Sequence, residues 1–226
     1  MSLLGLVPFL KIAIMKSEST GNIIATMSPN VEIMISALRR RCVDKTVALL
    51  GSAPGKWDIS DRPDIISGVN SSHINFGLKE VDILFFNTYS LYPAGKYKNV
   101  RESIAQRIEG TTCDLVVVID AANTNPKLPF KYEQKVILNK ADRNSILSQY
   151  LHRQFLPDTS GEEVPSTGIQ AAISLRATGA NPVLYGFSLT DGHYLSPTSA
   201  RAHRDMDATL FGHFDIRAPF RPSSNK

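Results

Sequence analysis

Two hydroxyls and a glycine stand together at Ser166-Thr167-Gly168, a combination that can bind an anion. Ser166 follows Pro165 and can cap the helix that the apolar pattern predicts as far as Gly179. The first turn of a helix has backbone N–H groups without intrahelical partners, and the helix dipole favours negative charge there. We therefore expect Ser166 and Thr167 to bind an anionic group, with Gly168 giving the ligand close access to the backbone. The alternative is that Ser166 only caps the helix.

Side chains that can act on a bound ligand follow at His193, Tyr194 and His203. A neutral imidazole accepts a proton near pH 7, because its unperturbed pKa is about 6.5. A phenol can donate a hydrogen bond to a leaving group that gains negative charge. Each histidine taken singly is typical of a surface or core position, whereas the ordered set after the helix indicates a catalytic site.

Polar residues also follow three buried strands, which the apolar runs predict at residues 45–50, 64–70 and 81–87. The residues at or just beyond their carboxyl ends are Ser52, Asn70 and Asn87. In a parallel sheet these ends share one edge, where α/β proteins bind nucleotides. The loop after the first strand has neither a full dinucleotide fingerprint nor the Gly-Lys-Ser/Thr of a phosphate loop, so an ordinary strand-to-turn transition is the alternative.

The remaining pattern predicts one Rossmann-like α/β domain, with a mainly parallel sheet and helices on both faces. Ser28 and Pro29 begin a helix that ends at three arginines, and a turn at Asn181-Pro182 precedes a strand at 183–187. Further elements are a strand at 114–119 and helices at 141–155 and 199–211, while residues 127–140 are weakly patterned. The predicted organisation is an N-terminal segment and helix at 1–44, the α/β domain at 45–213 and a basic, flexible tail at 214–226.

Composition restricts the classes of function. The chain has 226 residues, 42% of them apolar, and a net charge of +4. Apart from the three arginines the basic residues are scattered, so nucleic acid is not an expected partner. The two cysteines do not indicate a disulfide scaffold or a zinc site. The apolar segment at 1–15 is too short to span a membrane and unlike a secretory signal, so we expect a cytoplasmic protein whose N-terminus is compatible with weak contact to a membrane surface.

The stretch from Val164 resembles the sialyltransferases. Val-Pro-Ser-Thr-Gly-Ile-x-Ala-Ala, followed by Val-Leu-Tyr-Gly-Phe at 183–187, is similar to the small sialyl motif of the eukaryotic-type family. His193-Tyr194 resembles its His-Tyr motif, and His203 with Asp207 resembles its last motif. The bacterial sialyltransferases show a similar order of elements.

The first strand and its loop resemble the start of the large sialyl motif and the bacterial Gly-Asn-Gly-Pro-Ser loop. Asn70 and Asn87 fall where these families place an asparagine at a strand end. Ser52 departs from the pattern, because it replaces the loop asparagine that normally contacts the nucleotide. Thr46 and the residues at 178–180 lack the cysteines of the Golgi enzymes' disulfide, which is consistent with a reducing compartment.

The resemblance implies a GT-A-like fold and transfer of sialic acid, or a related nonulosonic acid, from its CMP-activated donor to a glycan hydroxyl. It implies inversion at the transferred sugar and chemistry without a metal or other cofactor. His203 would be the general base, and Tyr194 would stabilise the leaving phosphate, with His193 as its neighbour in the phosphate-contacting loop or as a competitor for the base. Asp207 lies four residues beyond His203, so it is expected to orient the imidazole or raise its basicity.

The donor has two anionic groups, a carboxylate and a phosphate, and each is expected to bind to a different set of residues. The sugar carboxylate is expected to bind to Ser166, Thr167 and Gly168. The cytidine ribose and phosphate are expected to bind to Ser52, Asn70 and Asn87. Two alternatives stay open. One is a pterin diphosphokinase-like enzyme that would bind ATP and magnesium, and the other is a non-catalytic nucleotide-binding or partner module in which the histidines are incidental.

Overall fold

A computed structural model describes residues 27–57, 59, 63–88, 104, 106–119, 126–151, 164–189 and 204–217, without the side chains of residues 204 and 205. Its elements in chain order are α1 (Pro29–Cys42), β1 (Thr46–Leu50), β2 (Ile65–Val69), a 3-10 helix (Ser72–Phe76), β3 (Glu80–Asn87), β4 (Thr112–Ile119), β5 (Lys131–Ile137), α2 (Lys140–Leu151), α3 (Thr167–Arg176), β6 (Asn181–Tyr185), α4 (Arg204–Phe211) and β7 (Asp215–Ile216).

The described strands form a seven-stranded parallel sheet in the order β5-β4-β3-β2-β1-β6-β7, which confirms the predicted α/β class. The chain steps outward from β1 to β5 and then returns to the other side of β1. Because crossovers between parallel strands are right-handed, the two directions of travel place their connecting segments on opposite faces. The helices α1 to α4 accordingly pack on one face, and the 3-10 helix and the segment around Ile108 cover the other.

Alternation along the strands supplies both cores. Phe85 and Phe86 are adjacent in β3 and point to opposite faces, as the strand period of two requires. Phe85 belongs to the cluster that contains Leu38 of α1 and Ile173 of α3. Phe86 packs in the second cluster, where its ring meets Phe130 edge to face at a centroid distance of 5.3 Å.

The start of α1 confirms the predicted cap. The Ser28 hydroxyl accepts a hydrogen bond from Val31 N at 3.3 Å, and Pro29 occupies the first turn. The same hydroxyl donates to Asp142, a carboxylate that is only 3% exposed and also accepts from Asn139 N at 2.9 Å. A buried carboxylate requires such partners, and here they join the beginnings of α1 and α2.

The structure corrects the predicted elements in three places. Residues 131–137, which lack an apolar pattern, form β5; this strand lies at the sheet edge, where three of its residues are exposed and an alternating pattern is not required. Asn181-Pro182 begins β6 instead of forming a turn, since a proline is tolerated in the first residues of a strand. Helix α3 is buried from Gly168 to Leu175 on all sides, not along one stripe, because it packs on the sheet and contacts α1, α2 and α4.

The sheet also extends beyond the predicted end of the domain. Arg217 N donates to Leu184 O at 2.9 Å, so β7 adds to β6 after residue 213. Helix α1 shares the main core with the strands and is therefore part of the same packed unit. Within the described part of the chain, no helix combines the length and the apolar character needed to cross a membrane.

Candidate functional site

The strand order creates a topological switch point between β1 and β6. The chain leaves β1 towards β2 on one side, whereas β6 on the other side belongs to the returning half of the sheet. Open α/β sheets bind ligands in the crevice beyond the carboxyl ends of the strands at such a point. The residues that follow these ends are Ser52 after β1, Asn70 after β2 and Phe187 after β6, with Asn87 as the last residue of β3.

Backbone hydrogen bonds hold the loop after β1 against the end of β6. Gly51 N donates to Tyr185 O and Ala53 N to Gly186 O, both at 2.7 Å. A Cβ atom on Gly51 would lie 2.5 Å from the Gly186 carbonyl oxygen, so the close approach of the two loops requires a glycine there. Ser52, between these two anchored residues, is half buried and makes no hydrogen bond through its side chain to the described residues.

Asn70 terminates β2 in the left-handed region, with φ of 53°. Its side-chain oxygen accepts from Asn87 N at 2.8 Å, and its own N–H donates to Phe85 O at 2.8 Å. Because a backbone N–H can only donate, the side-chain atom that faces it must be the amide oxygen. The Asn70 oxygen therefore bonds to the end of β3, and the amide NH2 remains available to a ligand.

A side-chain contact joins β3 to the start of α3. The amide nitrogen of Asn87 lies 3.4 Å from Thr167 Oγ1 and donates to it. Since the hydroxyl oxygen accepts this bond, the hydroxyl proton can be directed at another acceptor. The two residue sets predicted for a nucleotide and for an anionic group thus meet at one edge of the sheet.

The start of α3 retains donors for an anion. Ser166 is the N-cap, and its hydroxyl accepts from Ile169 N at 3.4 Å while its carbonyl accepts from Gln170 N at 3.0 Å. The backbone N–H groups of Thr167 and Gly168 have no partner among the residues that the structure describes. The unpaired N–H groups and the helix dipole favour a bound negative charge at this end.

Gly168 serves a different steric purpose from the one predicted. A Cβ atom there would lie 2.5 Å from Phe187 Cε1, so the space beside its Cα is occupied by the aromatic ring and is not open to a ligand. The same ring lies 2.6 Å from the position of a Cβ on Gly51. Phe187 therefore packs against both glycines and connects the loop after β1 with the start of α3. Sequence reasoning missed this role, because nothing in the spacing of the residues indicates the contact.

Asp207 also has a contact that the sequence did not reveal. Its Oδ1 atom accepts from Ser166 N at 2.8 Å, across 41 positions of the chain. The side chain is 6% exposed and lies in α4, which contacts α3. The i, i+4 spacing to His203 suggested an imidazole partner, whereas the described partner of this oxygen is the cap of α3.

A buried arginine lies near the same edge of the sheet. Arg143, in the first turn of α2 beyond the end of β5, is 7% exposed. Its Nε and NH2 groups both donate to Asn144 Oδ1, at 3.0 and 2.9 Å. It lines a small cavity together with Gln170 and Ser174 of α3. No sequence pattern indicates this residue, because a single arginine early in a helix is ordinary.

The residues predicted for catalysis, His193, Tyr194 and His203, lie outside the described residues. Both cysteines are buried, and burial raises the pKa of the Cys42 thiol to about 11 and that of Cys113 to about 12. Neither thiol is therefore a thiolate nucleophile at neutral pH. Among the residues that the structure describes, no group of three or more His, Cys, Asp or Glu side chains is arranged to hold a metal ion.

A larger groove of about 470 Å³ lies at the opposite edge of the sheet, at the amino ends of the strands. Its lining includes four acidic residues, Glu80, Asp82, Asp114 and Glu133. These carboxylates disfavour an anionic ligand. The groove is therefore distinct from the site predicted at the carboxyl edge.

No family model matches the chain, and no curated protein matches it. Three solved structures resemble it, all of the sialyltransferase CstII. Campylobacter jejuni CstII with the substrate analogue CMP-3FNeuAc is 13% identical over 76% of this chain and 78% of that chain, with a TM-score of 0.39. The same enzyme with cytidine-5'-monophosphate is 13% identical over 76% and 78%, with a TM-score of 0.35. CST-II with a trisaccharide acceptor and CMP is 14% identical over 77% and 86%, with a TM-score of 0.42. These are distant likenesses.

Proposed function

We propose that this protein transfers sialic acid, or a related nonulosonic acid, from a CMP-activated donor to a glycan hydroxyl with inversion. The contact between the Asn87 amide and the Thr167 hydroxyl carries the proposal. It brings a nucleotide-type set of strand-end residues next to a helix end that retains free N–H donors. A CMP-activated keto-sugar acid needs these two kinds of recognition side by side, because it has both a phosphate and a carboxylate.

The sugar carboxylate is assigned to the start of α3. The N–H groups of Thr167 and Gly168 and the hydroxyl proton of Thr167 are donors that a carboxylate oxygen can accept. Ser166 contributes by holding the cap geometry through its bond from Ile169 N. The net charge of +4 also suits an anionic donor.

The nucleotide is assigned to the neighbouring strand ends. Ser52 offers a hydroxyl without a side-chain partner in the described chain, and Asn70 offers its amide NH2. Asn87 connects this part to the carboxylate site through Thr167. Hydroxyl and amide groups of this kind suit the ribose and phosphate oxygens of CMP.

The catalytic roles rest on the resemblance at the end of the chain. In the proposed reaction His203 removes the proton of the acceptor hydroxyl as it attacks the anomeric carbon, and the bond to CMP breaks on the opposite face. Tyr194 donates a hydrogen bond to the departing phosphate, and His193 contacts the same phosphate. No metal ion or other cofactor takes part.

The decisive experiment follows CMP release from CMP-sialic acid in the presence of a glycan acceptor, with and without EDTA. We expect turnover that EDTA does not change and that His203→Ala lowers by about 10²–10⁴-fold, the range for loss of a general base. His193→Ala should mainly weaken donor binding. His213→Ala, which removes an exposed histidine from the turn after α4, is the matched control and should leave turnover unchanged.

Binding measurements separate the proposal from its rivals. CMP should raise the melting temperature, and Thr167→Ala should weaken donor binding by about 1–3 kcal/mol, as expected for a hydrogen bond to a charged group. Stabilisation by ATP and magnesium without any response to CMP would favour a diphosphokinase-like enzyme. Binding of CMP without any release of CMP from the donor would favour a non-catalytic nucleotide-binding module.

A further inference from the structure

Asp207 is one of the few buried carboxylates in the described part of the chain. Its Oδ1 accepts from Ser166 N at 2.8 Å, and the side chain is 6% exposed. A buried carboxylate is retained only where hydrogen-bond donors compensate for lost hydration. The partner of Oδ1 is the backbone N–H of the residue that caps α3, so this bond fixes the first turn of α4 to the start of α3.

The bond between Ser166 N and Asp207 uses one of the backbone N–H groups at the start of α3. Ser166 N is taken by Asp207, Ile169 N by the Ser166 hydroxyl and Gln170 N by the Ser166 carbonyl. The donors that remain are the N–H groups of Thr167 and Gly168. Asp207 thereby orients the cap residue and leaves free the two N–H groups that are assigned to the carboxylate of the CMP-activated sugar.

The same bond acts on the chain that enters α4. This helix is described from Arg204, and His203 directly precedes it in sequence. The helix is held by the Asp207 bond and by Leu210, whose side chain is 0% exposed in the main core. Loss of the Asp207 bond would therefore free the amino end of α4, which follows His203 in sequence, to move relative to the start of α3.

We propose that Asp207 is a positioning residue that holds the amino end of α4, the helix that follows His203 in sequence, against the anion-binding start of α3. This inference rests on the proposed function for the role of His203. It differs from the interpretation based on spacing alone, in which the charge of Asp207 raises the basicity of the imidazole. The Asp207–Ser166 bond acts through geometry, and an uncharged acceptor in the same place should replace it.

The test compares Asp207→Ala with Asp207→Asn in the CMP-release assay and in the amide spectrum of the full chain. Asp207→Ala should lower kcat by about 10²-fold, the scale expected when a reacting group is misplaced by about 1 Å. In Asp207→Ala the Ser166 amide should shift upfield in the ¹H–¹⁵N spectrum and lose protection from hydrogen exchange. Asp207→Asn, which can still accept through its amide oxygen, should restore the protection and most of the turnover. The acid limb of the kcat–pH profile should keep its midpoint in both variants.

Asp215→Ala is the matched control, because it removes an exposed carboxylate from β7 in the same C-terminal part of the chain. It should change neither the Ser166 amide nor the turnover. An unaltered Ser166 amide in Asp207→Ala would overturn the inference whatever the activity. An acid limb that moves to lower pH in Asp207→Asn would also overturn it, because the residue would then act through its charge. Absence of turnover in the wild type, with the Ser166 amide responding as expected, would refute the proposed function and leave the Asp207–Ser166 bond as a structural contact.

Discussion

Lowering the pH from 7 to 5 should destabilise the folded protein through His73, the histidine of the 3-10 helix. The side chain is 0% exposed, and its Nε2 lies 3.0 Å from Thr111 Oγ1. Its Nδ1 is buried and has no hydrogen-bond partner among the described residues. The pKa of this imidazole is lowered from 6.5 to about 4, mainly by burial, and the charges of Lys79 and Arg107 contribute to the same shift.

The sign of the effect follows from the two pKa values. The folded-state pKa lies below the unfolded one, so the unfolded chain binds more protons between pH 6.5 and about pH 4. The contribution of the neutral imidazole to stability is complete above the unfolded pKa and is lost as the pH falls. Linkage gives a loss of about 2 kcal/mol at pH 5, approaching about 3 kcal/mol below pH 4.

Urea unfolding at pH 7.5, 6 and 5 measures this loss when wild type is compared with His73→Gln. Glutamine cannot titrate, and its amide can still bond the Thr111 hydroxyl, so His73→Gln should lose about 2 kcal/mol less than wild type over this range. The carboxylates are the same in both proteins and cancel in the difference. His213→Gln, which removes an exposed histidine instead of a buried one, is the control in the same assay. Equal pH slopes for wild type and His73→Gln, or a His73 ring resonance that titrates near pH 6.5 in the folded protein, would refute the reasoning.

Substitutions at Gly168 and at Asn70 test how the carboxyl edge of the sheet is built. Gly168→Ala should lower the free energy of unfolding by about 1–3 kcal/mol, because the new methyl group would overlap the Phe187 ring, and Phe187→Ala should remove most of that penalty in a double-mutant cycle. Gly212→Ala, which meets no atom within 4 Å, is the control in the same urea assay, and equal effects at the two glycines would contradict the contact. Asn70→Gly should cost about 1 kcal/mol for the lost bond to Asn87 N, and Asn70→Ala about 1–2 kcal/mol more, because alanine is strained in the left-handed region. Equal losses in the two Asn70 variants would show that the backbone conformation contributes nothing.

The sequence was sufficient for the inner strands of the sheet and for the edge at which polar residues gather. Buried parallel strands such as β1, β3 and β4 are nearly continuous apolar runs, and their carboxyl ends must share one edge. Strand β5 escaped prediction because an edge strand with exposed lysines needs no apolar pattern. The cap at Ser166 was predictable because capping depends on residues three positions apart.

Contacts between distant parts of the chain could not be predicted in this way. Asp207 meets Ser166 across 41 positions, and Phe187 meets Gly51 only because β6 returns to the side of β1. The types of these residues are ordinary, so their partners depend on the packing of α4 and on the strand order. The same holds for Asn70, whose amide was correctly placed at the edge while the commitment of its oxygen to Asn87 N was hidden.

Acidification protonates two histidines, His203 and His73, and the sizes of the two effects on turnover separate them. Protonation of His203, the proposed general base, should produce an acid limb in the turnover as the pH falls. Protonation of His73 acts on the folded fraction, and it costs about 2 kcal/mol at pH 5. A domain of this size has a stability of roughly 5–15 kcal/mol, so it stays almost fully folded at pH 5 despite that loss. The limb measured between pH 7 and pH 6 should therefore be the same in wild type and in His73→Gln. A limb that disappears in His73→Gln would mean that unfolding, and not the protonation of a base, limits the rate in acid.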